Sequence, residues 1–141
     1  MSPLTYLIDT SAVFRIIEHK TVREKWVKHM AEGVIGLCDV SELEILYSAQ
    51  SANDRLAKED SLAQLFNWVA VPEGVYQRAR RVQQMLTNRG EHRSAGPVDL
   101  LVAATAELSG LTLIHYDKDF ETVARVTGQP TQWIAPPGTA D

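Results

Sequence analysis

The chain has 141 residues, 45% of them hydrophobic and 23% charged, with a formal net charge of −4. That is the make-up of one soluble globular domain, burying roughly 70% of the surface its unfolded chain exposes. A single cysteine, Cys38, excludes an intramolecular disulfide and a multi-cysteine zinc site, and no apolar run approaches the roughly 18 residues of a membrane span. The opening MSPLTYLID has neither a basic n-region nor an apolar segment of signal-peptide length, so a reducing cytoplasm is the expected location.

LTYLI (4–8) reads as a strand, followed by two helical segments, TSAVFRIIEHK and TVREKWVKHMAE. VIGLC (34–38) is strand-like again, with Cys38 expected in the core, and SELEILYSAQS continues as a helix. ANDRLAKEDSLAQLFNW sets Leu56, Leu62, Leu65 and Phe66 at amphipathic-helix spacing, and WVAVP is a short strand. VYQRARRVQQMLTNRG reads as a helix closed by Gly90, and PVDLLVAATAELSG as a helix opened by Pro and closed by Gly. LTLIH (111–115) is a strand, DFETVARVTG a helix and PTQWIA a last strand. The Pro/Gly-rich tail should fray, which gives one domain over 1–135 and a flexible tail over 136–141. The alternation βααβααβααβαβ argues for a parallel sheet flanked by helices, with a site outside the carboxyl ends of its strands.

Acidic residues stand at those ends. Asp9 follows the first strand, Asp39, Glu42 and Glu44 follow the second, Asp99 opens a helix, and Asp117 and Asp119 follow LTLIH. Singly, each has a local explanation. Asp9, Asp99, Asp117 or Asp119 can cap a helix, and Ser41 with Glu44 has capping-box spacing. Together, carboxylates from four parts of the chain repel one another at one sheet edge unless a cation lies among them. Oxygen-only ligands suit Mg²⁺ or Mn²⁺, and the chemistry implied is metal-assisted attack of water on a phosphodiester.

Competing sites fail on spacing. The stretch from Asp117 has Thr122 and Gly128 where a calcium loop needs Gly and Glu, and no Gly-rich phosphate loop follows any strand. The four histidines form no ligand pair, and His115 is expected as a core or rim residue. Five arginines between Arg78 and Arg93 form either a solvated helix face or a phosphate-contacting edge. Trp26, Trp68 and Trp133 are expected to be core residues rather than base-stacking platforms.

LIDTSAVF, SELEILYSA and PVDLLVAATAELSGLTLIHYDKDFETVA, in this order and at this length, resemble a PIN-domain ribonuclease, and more narrowly a VapC-type toxin of a toxin–antitoxin pair. The resemblance implies a three-layer α/β fold with a mostly parallel five-stranded sheet ordered 3-2-1-4-5. It carries the family's four acids onto Asp9, Glu44, Asp99 and Asp117, with Ser11 as a polar support and Asp119 as an auxiliary. Asp9 and Asp99 would then contact Mg²⁺, with Mn²⁺ as a substitute ion, while Glu44 and Asp117 hold its waters or a second ion. Ser48 stands where the family often has Gly. An RNA substrate, a homodimer and a VapB-like antitoxin lying over the acidic groove are implied as well, and Arg81, Arg89 and Arg93 are the candidates for RNA phosphate contact. Two other classes remain in view: a PIN-like module that binds RNA or protein without cleaving, and a metal-dependent phosphatase. The phosphatase is disfavoured because Asp9-Thr-Ser lacks a second Asp two residues on.

Overall fold

All four pairings in the central sheet are parallel, in the order β3-β2-β1-β4-β5. The structure, a computed structural model, describes residues 3–141. Its strands are β1 (Tyr6–Ile8), β2 (Ile35–Cys38), β3 (Asn67–Val69), β4 (Thr112–His115) and β5 (Thr131–Trp133). Helices α1 (Thr10–Glu18) and α2 (Lys20–Ala31) join β1 to β2; α3 (Asp39–Tyr47) and α4 (Ala52–Leu65) join β2 to β3. Helices α5 (Val75–Asn88) and α6 (Pro97–Leu108) lead to β4, and α7 (Lys118–Thr127) leads to β5. This is the element order and strand order expected from the sequence, with the sheet parallel throughout. No helix among the described residues is long and apolar enough to cross a membrane.

Period-two alternation along the strands divides the core into two layers. Leu7, Cys38 and Leu113 face one side and pack with Val82 and Leu86 of α5, Leu100 of α6 and Phe120 of α7. Ile8, Leu37 and Ile114 face the other and pack with Val13 and Ile16 of α1, Trp26 of α2 and Leu62 of α4. Cys38 is fully buried, as its place in VIGLC implies. Gly36 in β2 is required by close approach, since a Cβ there would run into the Val69 side chain on the neighbouring strand. Trp26 is buried and Trp133 half-buried, whereas Trp68 on the edge strand is 64% exposed, with its indole N–H donated to Asp39 Oδ1 at 2.8 Å.

Two expectations are corrected here: Trp68, expected in the core, lies exposed on the edge strand, where one face has no layer to cover it, and the tail differs as well. The end of the 136–141 tail is anchored rather than frayed. Ala140 is 2% exposed, its N–H donates to the Tyr116 hydroxyl at 2.9 Å, and its carbonyl accepts from Arg15 Nε at 3.1 Å. The same hydroxyl donates to Asp141 Oδ1 at 2.8 Å, and the Arg15 guanidinium lies 4.5 Å from the centre of the Tyr116 ring. Composition alone argued for fraying, but partners distant in sequence satisfy the tail's backbone polar groups and hold it. Tyr116→Phe leaves the buried Ala140 N–H without an acceptor, so it should cost about 1–2 kcal/mol. In urea denaturation this appears as a lower midpoint at unchanged slope.

Candidate active site

Asp9 is the residue immediately beyond β1, the central strand, and with 3% exposure it has almost no contact with solvent. Its two carboxylate oxygens have different surroundings. Oδ2 accepts from the Ser11 N–H at 2.9 Å and the Ser11 hydroxyl at 2.7 Å, which makes Asp9 the N-cap of α1. Oδ1 is buried and has no hydrogen-bond partner among the described residues. The cap reading of Asp9 therefore holds on one oxygen, and the other is left without a protein partner.

Ser11 extends the arrangement to β4, because its hydroxyl also accepts from the Tyr116 N–H at 2.9 Å. The segment after β4 is thereby tied to Asp9. Asp117 caps α7, its Oδ1 accepting from the Asp119 N–H at 2.9 Å. Asp99, in the first turn of α6, reaches back through Oδ2 to the Gly96 N–H at 3.3 Å. Because the sheet is parallel and α6 runs back into β4, these groups lie at the same edge, outside the carboxyl ends of the strands.

Glu44 differs from the capping-box reading. Helix α3 begins at Asp39, with Cys38 as its N-cap, so Ser41 lies inside the helix, fully buried. Glu44 is an exposed residue in the helix body. No cap explains it.

The electrostatics link the acids. Burial drives the Asp9 carboxyl up from an ordinary 3.8 to about 6; the two Ser11 hydrogen bonds oppose this, and the charges of Asp99 and Glu44 add to it. Asp99 is raised by burial, opposed by its hydrogen bond from the Gly96 N–H, and raised further by the charges of Asp117, Glu44 and Asp119. Asp119 is raised by burial and by Asp117. Five carboxylates, Asp9, Glu44, Asp99, Asp117 and Asp119, thus form one interacting group.

Among the described residues, no three His, Cys, Asp or Glu side chains converge closely enough to hold an ion by themselves. The oxygen-only donor set and the orphaned buried Oδ1 of Asp9 nonetheless fit a hard divalent cation. Magnesium binds through one or two carboxylates and retains several waters, so an open array suits it better than a closed cage.

The arginines separate into two sets. Arg78 is engaged bidentately with Glu107, at 2.6 and 2.9 Å, which fastens α5 to α6. Arg89 pairs with Glu91 at 2.6 Å, and Glu91 is also 3.5 Å from Arg125. Arg80, Arg81 and Arg93 are exposed and make no ion pair among the described residues. His115 is a core residue, as expected, but sequence alone did not show that both of its ring nitrogens are hydrogen-bonded. Only its position at the end of an otherwise apolar strand, two residues before Asp117, marked it.

Known proteins resemble this chain in sequence and in fold. Residues 6–126 match the PIN domain family model. The chain is 38% identical to Ribonuclease VapC21 of Mycobacterium tuberculosis over 135 residues, covering 96% of this chain and 97% of that protein. It is 41% identical to Ribonuclease VapC18 of the same organism over 138 residues, covering 96% and 99%. Its fold is similar to that of DNA-bound VapBC from Salmonella typhimurium, with a TM-score of 0.77 at 19% identity over 94% of this chain and 99% of that one. FitAcB from Neisseria gonorrhoeae gives 0.68 at 16% identity, over 90% and 96%. The chain belongs to the PIN-domain family and, within it, to the VapC ribonucleases.

Proposed function

We propose that this protein is a divalent-metal-dependent endoribonuclease, with Mg²⁺ as its ion and Mn²⁺ able to replace it, acting as the toxin of a VapBC-like pair. The observation that carries this reading is the unpartnered, buried Oδ1 of Asp9 within the field of Asp99 and Glu44. Asp9 and Asp99 are assigned as the direct ligands, Glu44 and Asp117 as holders of metal waters or of a second ion, and Asp119 as an auxiliary. A bound divalent ion supplies Lewis acidity, which favours hydroxide near neutral pH and offsets charge building on the phosphate. The chain's own contribution is positional. Ser11 fixes one oxygen of Asp9, so that the other faces the site, and the Asp117 and Asp99 caps restrain their carboxylates.

For RNA phosphates, the exposed and unpaired Arg81 and Arg93 are the assigned contacts, and Arg89 would have to leave Glu91 to join them. A VapB-like antitoxin is the proposed partner, in keeping with solved relatives that are VapBC and toxin–antitoxin complexes. On this reading the antitoxin lies over the acidic groove at the carboxyl ends of the strands. The active form is proposed to be a cytoplasmic homodimer.

The purified chain should cut cellular RNA into discrete fragments only with Mg²⁺ or Mn²⁺ present. Asp99→Asn should lose more activity than the roughly 10–100-fold typical of removing an outer partner of a metal ligand. Equal cleavage by the variant would remove Asp99 from the site or mark a contaminating nuclease, and no cleavage by either protein would favour the non-cleaving binding module.

Asp9 gives a test that needs no RNA. Its folded carboxyl, at about 6, lies above the ordinary 3.8, so the folded state holds its proton more tightly than the unfolded state. In metal-free protein, stability should therefore fall as pH rises from about 4 to about 6 and then level off, by up to about 3 kcal/mol. Asp9→Asn should remove that fall and melt higher than wild type at neutral pH without metal. Adding Mg²⁺ should raise the melting temperature of wild type but not of the variant.

Replacing Arg81 and Arg93 together with Ala should raise KM for RNA at unchanged kcat. It should also flatten the log–log salt dependence of RNA binding by about 1.4, at about 0.7 for each single-strand phosphate contact. An unchanged slope would remove both residues from the interface.

A further inference from the structure

His115 is fully buried, and the proposed reaction leaves it without a role. It lies between Phe120 and Trp133, at ring-centre distances of 5.4 and 4.8 Å. Its Nδ1 is 3.1 Å from the backbone N of Asp117. An amide N–H can only donate, so Nδ1 must offer its lone pair and the ring proton must be on Nε2. Nε2 is 2.7 Å from Glu121 Oε2, the acceptor that this tautomer requires, and the same oxygen accepts from the Thr131 hydroxyl at 2.6 Å. The ring orientation is thus fixed from behind by residues of α7 and β5, and its free lone pair is aimed at the Asp117 peptide.

The neighbouring peptide is held as well. Tyr116 N–H donates to Ser11 Oγ, whose own proton goes to Asp9 Oδ2. Two successive amides after β4 are therefore restrained by side chains, one through Asp9's own support and the other through His115. Nothing in the packing of an apolar strand end demands this, since an apolar residue of similar volume would fill the space between Phe120 and Trp133.

We propose that His115 is a positioning residue for Asp117: its Nδ1 grips the Asp117 amide, while Glu121 and Thr131 hold the ring, so that the Asp117 carboxylate stays in register with Asp99 and Asp9. This rests on the reading of Asp117 as part of the acidic site. Groups that orient a metal ligand in this way typically matter by about 10–100-fold in metal affinity or activity.

Three substitutions in the full chain separate this role from simple packing. His115→Asn places an amide oxygen near the position of Nδ1 and keeps an acceptor for Asp117. His115→Gln reaches towards Glu121 but not to the Asp117 amide, and His115→Leu offers neither. The readouts are Mn²⁺ affinity by calorimetry, hydrogen exchange at the Asp117 amide, and kcat and KM on RNA. Leu and Gln should weaken Mn²⁺ binding and kcat by about 10-fold or more, with KM little changed and faster exchange at Asp117. Asn should recover most of each. Because Asn and Gln are equally polar, their contrast stands even if the Leu variant fails to fold. Rescue by Gln equal to that by Asn, or wild-type Mn²⁺ affinity in both Leu and Gln, would overturn the proposal. So would a nitrogen NMR spectrum of wild type with the ring proton on Nδ1. If the predicted order appears in Mn²⁺ affinity while wild type cuts no RNA, the nuclease reading falls and the positioning role stands. If wild type cuts RNA and all three variants match it, the reverse holds.

Discussion

A carboxylate at the end of the central strand is the constraint around which this domain is arranged. Strand β1 is central in the sheet and covered on both faces, so Asp9, one residue beyond it, cannot turn its charge to bulk water. Burying an ionised carboxylate without compensation is among the larger costs a fold can carry. The chain compensates half of it. Ser11 supplies two hydrogen bonds to Oδ2, and Oδ1 is left without any. A fold selected only for stability would place Asn or Ser at this cap, at little cost in capping strength. Retaining the acid makes sense if something else satisfies the second oxygen.

The same economy recurs around the edge. Asp117 and Asp99 each use one oxygen on a backbone N–H at the start of a helix, as Asp9 does. Helix starts favour acids for local reasons, and a parallel sheet collects helix starts at the carboxyl ends of its strands. Capping and function are therefore not competing explanations here. The topology places the caps at one edge of the sheet, and on the proposed reading their remaining oxygens are the ones that serve a metal. Glu44 lies in the body of α3 with no backbone to cap.

Much of this was legible in the sequence, and the parts that were not have a common cause. Strands and helices could be read because period-two and helical patterns are local, and a parallel order followed from the alternation of LTYLI, VIGLC and LTLIH with helical segments. The acids stood out because they follow strands. What escaped depends on partners far along the chain. The tail looked free until Tyr116 and Arg15 supplied its contacts, and Arg78 looked available until Glu107 was placed across from it. The Ser41–Glu44 spacing was right for a capping box, but packing carried α3 back to Asp39 and buried Ser41. His115 looked like core and is core; its polar contacts run partly to Glu121 and Thr131 on later elements, which no local pattern reports.

The charge balance at the edge sets what the site needs. Helices α1, α3, α6 and α7 all begin there, and each N-terminus contributes about half a positive charge. Together they supply about 2 charges against the carboxylates of Asp9, Glu44, Asp99, Asp117 and Asp119. The shortfall is visible in the acids themselves: Asp9 and Asp99 are both driven upward by burial and by their acidic neighbours, which means that the fold alone does not fully support their ionised forms. Protonation relieves the strain only by removing the donor oxygens. A divalent cation relieves it while keeping them, and it brings a positive charge to which a phosphodiester can then be drawn. The instability of the metal-free edge is thus the physical basis for its proposed affinity, and for placing His115 and Ser11 behind it, since mutually repelling carboxylates disperse unless their backbones are held.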